Sequence, residues 1–390
     1  MRILFCDNTC PGRFGTLPVK LAAGGAHEVM FLSFYPRDEA STPGVVHARL
    51  RLDRSVPPDP DPFLEAWHRA FRLARQACRT FRHIRESGFV PDMVCVTFSD
   101  GPALFLREVF PEAFIVSYPG VIRTPEGEGV EKARALLDVQ THQLLHSDLV
   151  FVRSQAQKRA FPSLLHERIH VQPPYVDTEF FSPGHGDVRR FFPDAPADAE
   201  LVTFHMKGAK AVTREWTQLI LGLLVSRPSC RVALSFGNSS LRERWLSHAR
   251  SLPNALRRRL FLAGGLDRES YRDLLCLSRV HVFPECADPP LQEMLESMSC
   301  ETLPLMPLSP SAEASFLPAS AVPSFSPFEG EQSLAELSRI LDNAGSLAQM
   351  AASCRRAVSS RCNETASLEA HVRLLFKAYE QHKASGKNTR

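Results

Sequence analysis

The sequence predicts an α/β protein made of two doubly wound, Rossmann-like domains facing a cleft. Three observations carry that expectation. Short, continuous apolar runs alternate with amphipathic helical stretches along most of the chain. The alternation breaks off in a proline-rich interval and then restarts. The chain's 390 residues also exceed the roughly 100–200 of one ordinary domain.

Residues 3–6 and 28–31 read as strands, with a helical stretch over 17–23 between them. A long, arginine-rich helix follows over 63–85, where Phe63, Trp67, Phe71, Ala74 and Cys78 recur at helical spacing. Strands are expected over 93–97, 113–117 and 149–152, with a helix over 129–146. These strands are continuously apolar, as strands buried on both faces are. Strand–helix–strand alternation then implies a parallel sheet with right-handed crossovers.

Pro173, Pro174, Pro183, Pro193 and Pro196 make 173–198 read as a linker. Beyond it come strands over 201–205, 231–236, 260–263 and 280–283, with helices over 214–225, 241–250, 267–277 and 291–298. The Pro-, Ser- and Ala-rich stretch 304–327 suggests one or two short strands between loops. Leu368, Val372, Leu375 and Tyr379 give the C-terminal segment one apolar helix face. The expected domains are therefore 1–180 and 181–365, with a final helix and tail over 366–390.

Composition narrows the function. A net charge of +3 gives no support for a nucleic-acid binder. The ten cysteines are scattered without a C-x-x-C pair, which argues against a zinc ribbon or redox motif. The N-terminal apolar run is too short for a secretory signal, and 219–225 is too short to span a bilayer. The expected setting is the cytoplasm, and peripheral contact with a membrane stays open.

Chemistry concentrates in 280–300, which reads as strand, acidic loop and helix. Asp288 falls in the loop and Glu296 eight residues on, inside the helix. Pro289 and Pro290 suit a helix start. Backbone N–H groups from Leu291 onward could then face a phosphate. One carboxylate could hold ribose hydroxyls and the other those of a sugar. The competing reading makes these acids, with Glu285 and Glu293, solvated capping residues. A second feature is the loop 204–216, where Lys207, Lys210 and Arg214 could neutralise a diphosphate. The third is Pro11-Gly12-Arg13-Phe14 after the first strand. Gly12 permits close approach, but no G-x-G-x-x-G pattern is present.

Rival motifs are weaker. His166-Glu167-Arg168-Ile169-His170 matches H-E-x-x-H, yet Ile169-His170-Val171 reads as a strand, so the rings should not converge. His142 and His146 have no apparent third ligand. His281 reads as a satisfied core histidine. Ser99 and Asp100 lack a nucleophile elbow.

Together these stretches resemble the retaining glycosyltransferases of family 4, which have the GT-B fold. The likeness runs through Met1-Arg2-Ile3-Leu4-Phe5, Pro11–Phe14, residues 101–107, Val176–Pro183, 261–285 and Leu295-Glu296-Ser297-Met298-Ser299-Cys300. It implies metal-independent transfer of a sugar, with retention, from a nucleotide-diphosphate sugar to an acceptor hydroxyl. The acceptor would be a glycan, a lipid-linked molecule or a protein. No cofactor is implied, the nucleotide sugar being a substrate, and no nucleic-acid partner. Carried over, Lys207 and Arg214 neutralise the diphosphate, Asp288 orients the donor sugar, and Glu296 holds the ribose. Leu291 opens the donor-binding helix, and Asp288 and Lys207 form the catalytic set. Gly12, Arg13, Thr97 and Asp100 lie on the acceptor side. The last helix would return to the first domain. Several residues depart from the family's pattern. Asp288 stands for Glu, Lys207 for Arg, Glu301 for Gly and Thr97 for His. Pro173-Pro174-Tyr175 stands for Pro-Asn-Gly. Two other readings stay open: a GT-B protein that binds a nucleotide sugar or supports an assembly without transfer, and a nucleotide-sugar epimerase.

Overall fold

The computed structural model describes residues 1–35, 42–53, 61–97, 101–120, 130–196, 198–206, 214–236, 239–284, 291–307, 324–325 and 331–387. Two compact units divide the chain. The first is Met1–Pro173 with Leu368–Arg390, and the second is Pro174–Ser367.

The first unit holds a seven-stranded sheet. Its strands are β1 (Arg2–Asp7), β2 (Glu28–Ser33), β3 (Val45–Arg49), β4 (Met93–Val96), β5 (Phe114–Ser117), β6 (Leu149–Val152) and β7 (Ile169–Val171). All pairs are parallel, in the order β3-β2-β1-β4-β5-β6-β7. Phe5 registers between Phe31 on β2 and Cys95 on β4. The helix Pro62–Glu86 lays Leu73, Ala77, Phe81 and Ile84 against Leu4, Cys6, Val94 and Val96. Fully burying one such apolar side chain contributes about 1.5–3 kcal/mol. The helix ends at Gly88 (φ 93°), where Phe89 N–H donates to the Ile84 carbonyl and Gly88 N–H to that of Arg85. This paired closure needs a left-handed residue, and glycine adopts that conformation without steric cost. The later part of the helix Glu364–Lys387 belongs to this unit. There Tyr379 packs edge-on to Phe114 and His371 edge-on to Phe151, while Tyr118 Oη and His371 Nε2 are hydrogen-bonded at 2.9 Å.

The second unit repeats the winding. Its strands are β8 (Glu200–Met206), β9 (Cys230–Phe236), β10 (Leu260–Ala263), β11 (Ser278–Val282), β12 (Leu303–Pro307) and β13 (Ser324–Phe325). They run parallel in the order β10-β9-β8-β11-β12-β13, which matches the first six places of the other sheet. One face buries Val202, Phe204, Val232, Leu234, Val280 and Val282 against Ile220 and Leu223 of the helix Arg214–Ser226. Glu200 is buried and accepts two hydrogen bonds from Arg227, at 2.6 and 3.0 Å.

Two expectations need correction. The stretch 173–198 is no free linker. Phe181, Phe191, Phe192 and Ala195 are buried in the second unit's clusters, and Arg190 binds Asp273 at 2.9 Å. Its prolines punctuate a packed segment rather than a solvated one. Strand β3 and the helices Glu331–Asp342 and Ala344–Arg361 were not foreseen. Of the expected strands over 304–327, β12 begins one residue earlier and β13 is a two-residue pairing. Among the described residues no helix is long and apolar enough to cross a membrane.

Candidate functional site

In doubly wound sheets ligands bind beyond the carboxyl ends of the strands, where the strand order reverses. The reversal lies between β1 and β4 in the first unit and between β8 and β11 in the second.

At the end of β1 the chain turns around Asp7. Its buried carboxylate accepts the Asn8 N–H at 2.6 Å and the Arg13 N–H at 2.8 Å. Gly12 lies over it with φ 54°, and a Cβ there would sit 2.0 Å from Asp7 Oδ2. The close approach that Gly12 permits is thus taken up by an internal carboxylate. Arg13 is exposed and donates from Nη1 to the Pro119 carbonyl at 3.1 Å. Phe14 anchors the turn between Phe5, Phe31 and Tyr118. Thr97, at the end of β4, is buried and its N–H donates to the Cys6 carbonyl at 3.1 Å. Gly12, Arg13 and Thr97 therefore share one sheet end. Asp100 and Ser99 lie outside the described residues.

At the corresponding end of the second sheet, Lys207, Lys210, Glu285 and Asp288 lie outside the described residues. Arg214 opens the helix that follows β8. Leu291 opens the helix Leu291–Ser299 that follows β11. Its side chain is buried, so only its backbone is placed to meet a ligand. Glu296 is half-buried one turn and a half further on and accepts from Gln292 Nε2 at 3.1 Å. The same Gln292 nitrogen reaches the Tyr175 carbonyl at 3.2 Å.

Sequence reasoning missed a polar group beside this helix. His205 on β8 has Nε2 3.9 Å from Glu293 Oε1. His281 on β11 is buried, with Nδ1 2.5 Å from Thr203 Oγ1. Its Nε2 is buried without a hydrogen-bond partner among the described residues, so the expectation of a satisfied histidine holds at one nitrogen only. Phe283 lies edge-on to it, with ring centroids 4.6 Å apart. Burial, and next the neighbouring His205, hold the His281 pKa well below the usual imidazole range. It is therefore neutral at pH 7 and adds no charge to this sheet end. A histidine on each of two neighbouring strands was readable in the sequence, but their pairing depends on strand order.

The helix carrying Glu296 closes on an unusual residue. Thr302 N–H donates to the Ser297 carbonyl at 2.9 Å and Glu301 N–H to that of Met298 at 3.2 Å. This is the geometry that Gly88 completes in the first unit, yet Glu301 adopts it with φ 59°.

His166 and His170 do not share a helix face. His166 follows a short 3-10 turn and bonds the Phe161 carbonyl at 3.0 Å, while His170 lies on β7. Among the described residues no three His, Cys, Asp or Glu are grouped to hold a metal.

Residues 25–181 match the family described as Glycosyl transferase family 4 group, so the resemblance to family 4 holds across most of the first unit. No curated protein matches the chain in sequence. Solved structures share its two-sheet fold. A sucrose-phosphate synthase from Thermosynechococcus elongatus superposes with TM-score 0.75 at 15% identity, covering 98% of this chain and 100% of that one. A glycosyltransferase from Rickettsia africae gives 0.70 at 14%, covering 98% of each chain. Anabaena HepE, solved in complex with UDP and glucose, gives 0.69 at 13%, covering 96% and 99%. The fold is of the GT-B class, with two Rossmann-like domains in succession.

Proposed function

We propose that this chain is a glycosyltransferase that uses a nucleotide-diphosphate sugar. The observation that carries the reading is the same strand order in two successive sheets, the first of which lies largely within the family 4 match. In the proposed reaction the bond from the anomeric carbon to the diphosphate breaks. An acceptor hydroxyl oxygen bonds to that carbon, its proton leaves, and the configuration is retained. No metal is required. Lys207 and Arg214 stabilise the charge developing on the departing diphosphate. Asp288 orients the sugar, Glu296 holds the ribose, and the N-terminus of the helix Leu291–Ser299 faces the phosphates. Since HepE was solved with UDP-glucose, uridine diphosphate sugars head the donor panel.

Thermal-shift screening of nucleoside diphosphates and their sugars tests donor binding. A ligand at 100 times its Kd stabilises by about 2.7 kcal/mol. With a binding donor in hand, Glu296→Gln should weaken the nucleotide. Asp288→Asn should lower turnover and leave nucleotide affinity within about twofold. Lys207→Ala should cost nucleoside diphosphate roughly tenfold to a hundredfold in affinity and leave the nucleoside unaffected. NMR of the product reads the anomeric configuration. A donor that binds but is never transferred, with Asp288→Asn silent, would leave a nucleotide-sugar binder. The departures at Lys207, Asp288 and Glu301 favour that second reading.

A further inference from the structure

The arginine-rich helix has a partner surface that its sequence does not show. At the β3 edge of the first sheet, Arg49 and Arg51 face Arg72, Arg75 and Arg79 of the helix Pro62–Glu86 across an open groove of 940 Å³. All five arginines are exposed, and among the described residues none is in an ion pair. The groove is a built feature. Leu50 and Leu52 are buried beneath it. Gln76 ties its two walls together, accepting the Asp53 N–H at 2.5 Å and donating to the Asp53 carbonyl at 3.3 Å. Asp53 is the one acid among the described residues of the lining. A chain of net charge +3 thus gathers five guanidinium groups on one concave surface, at a cost in mutual repulsion.

We propose that this groove binds a soluble anion carrying two or more phosphate groups. Arginine presents a planar fork that matches phosphate oxygens two at a time, and among the described residues the lining contains no lysine. Five forks on two walls suit several phosphates in a row better than one. A bilayer surface fits poorly, because the lining is concave and among the described residues carries no apolar anchor. Single-stranded nucleic acid fits poorly too, because among the described residues the lining has no Phe, Tyr or Trp on which bases could stack. The groove lies two strands away from β1, at the far edge of the sheet, so it is separate from the turn around Asp7. It is also in the other unit from Lys207 and Arg214.

Isothermal titration with inorganic tripolyphosphate tests the proposal on the full chain. The parent should bind tripolyphosphate at least tenfold more tightly than orthophosphate, with affinity falling as salt rises. The triple variant Arg72→Gln, Arg75→Gln, Arg79→Gln should bind roughly a hundredfold more weakly. Its three positions are exposed, so its melting temperature without ligand should equal or exceed the parent's at low salt. The double variant Lys207→Ala, Arg214→Ala should keep this binding, which separates the groove from the diphosphate site proposed above. Equal affinity in parent and triple variant would overturn the proposal. So would loss of all binding in the double variant. Salt-sensitive, arginine-dependent capture by phosphatidylserine vesicles without tripolyphosphate binding would overturn it in favour of a membrane surface.

Discussion

β1 and β8 hold the same place in their sheets, yet their ends are built for different chemistry. The chain leaving β1 wraps around its own anion, and Asp7 commits both carboxylate oxygens to the backbone N–H groups of Asn8 and Arg13. The chain leaving β8 passes His205, beside a buried His281 that stays neutral. Winding fixes where a crevice opens, and the side chains at the strand ends decide what it offers. The first unit offers a shaped turn with its negative charge already used. The second offers a buried neutral His281 and the carboxylates Glu293 and Glu296, none of which neutralises an anion, so in the proposed site charge on a diphosphate falls to Lys207 and Arg214.

The comparison breaks most directly at Gly12. An alanine there would need φ 54° and would place its Cβ on Asp7 Oδ2. Relief requires moving Asp7, which strands two backbone donors. We expect Gly12→Ala to destabilise by about 3–4 kcal/mol, read as a lower midpoint in urea. Asp7→Ala should cost less, about 2–3 kcal/mol, and should partly rescue Gly12→Ala in the double variant. Additive costs would show that the two residues do not constrain each other.

How much of this was legible depends on where each signal lies. Continuous apolar runs announced β1, β4, β6 and β8, because strands buried on both faces have no polar positions to confuse the pattern. Strand β3 reads Val45-Val46-His47-Ala48-Arg49 and is only half-buried at the sheet's edge, so its pairing with β2 comes from topology rather than composition. The helix Ala344–Arg361 buries mostly small groups such as Ala351, Cys354 and Ala357, which leave a faint periodicity, whereas Glu331–Asp342 places Leu334, Leu337 and Leu341 at clear helical spacing and was legible but not read. At the site, Asp288 and Glu296 were picked out by spacing and family likeness. Asp7 was not, because its partners are backbone N–H groups with no signature of their own. The arginine run of the long helix was plain, but its convergence with Arg49 and Arg51 needed β3 to be in place.

The two units respond alike to pH. In the first unit, burial lowers the His371 pKa to about 4. An unfolded histidine titrates near 6.5, so below that pH the unfolded chain takes up a proton that the folded chain refuses. The stability involved is fully present above pH 6.5 and is lost as pH falls toward 4. It amounts to about 3 kcal/mol over the whole window and about 2 kcal/mol by pH 5. His281 in the second unit acts in the same direction. His371→Gln keeps a polar partner for Tyr118 and removes the titration. Melting curves between pH 7 and pH 5 should therefore flatten by about 2 kcal/mol relative to the parent. Parallel curves would mean that His371 titrates in the folded chain as it does in the unfolded one.

The smallest effect separates the two helix ends. Gly88 and Glu301 make the same pair of closing hydrogen bonds with left-handed backbones, and only Gly88 does so without a Cβ. The left-handed conformation costs an L-residue about 1–2 kcal/mol. Glycine avoids that cost but loses more backbone entropy on folding, roughly 0.5–1 kcal/mol. The net gain expected from Glu301→Gly is therefore about 0.5–1 kcal/mol, a rise in melting temperature of roughly 1–2 °C for a chain of this size. Family 4 sequences usually place glycine there, so the substitution restores the pattern as well as the backbone. Because Glu301 closes the helix that carries Glu296, nucleotide affinity should be measured alongside stability. A more stable variant with unchanged affinity shows that the residue strains only the helix end. A more stable variant that also binds nucleotide more tightly shows that the strain reaches the proposed donor site. A destabilised variant would mean that the Glu301 side chain contributes more than its backbone costs.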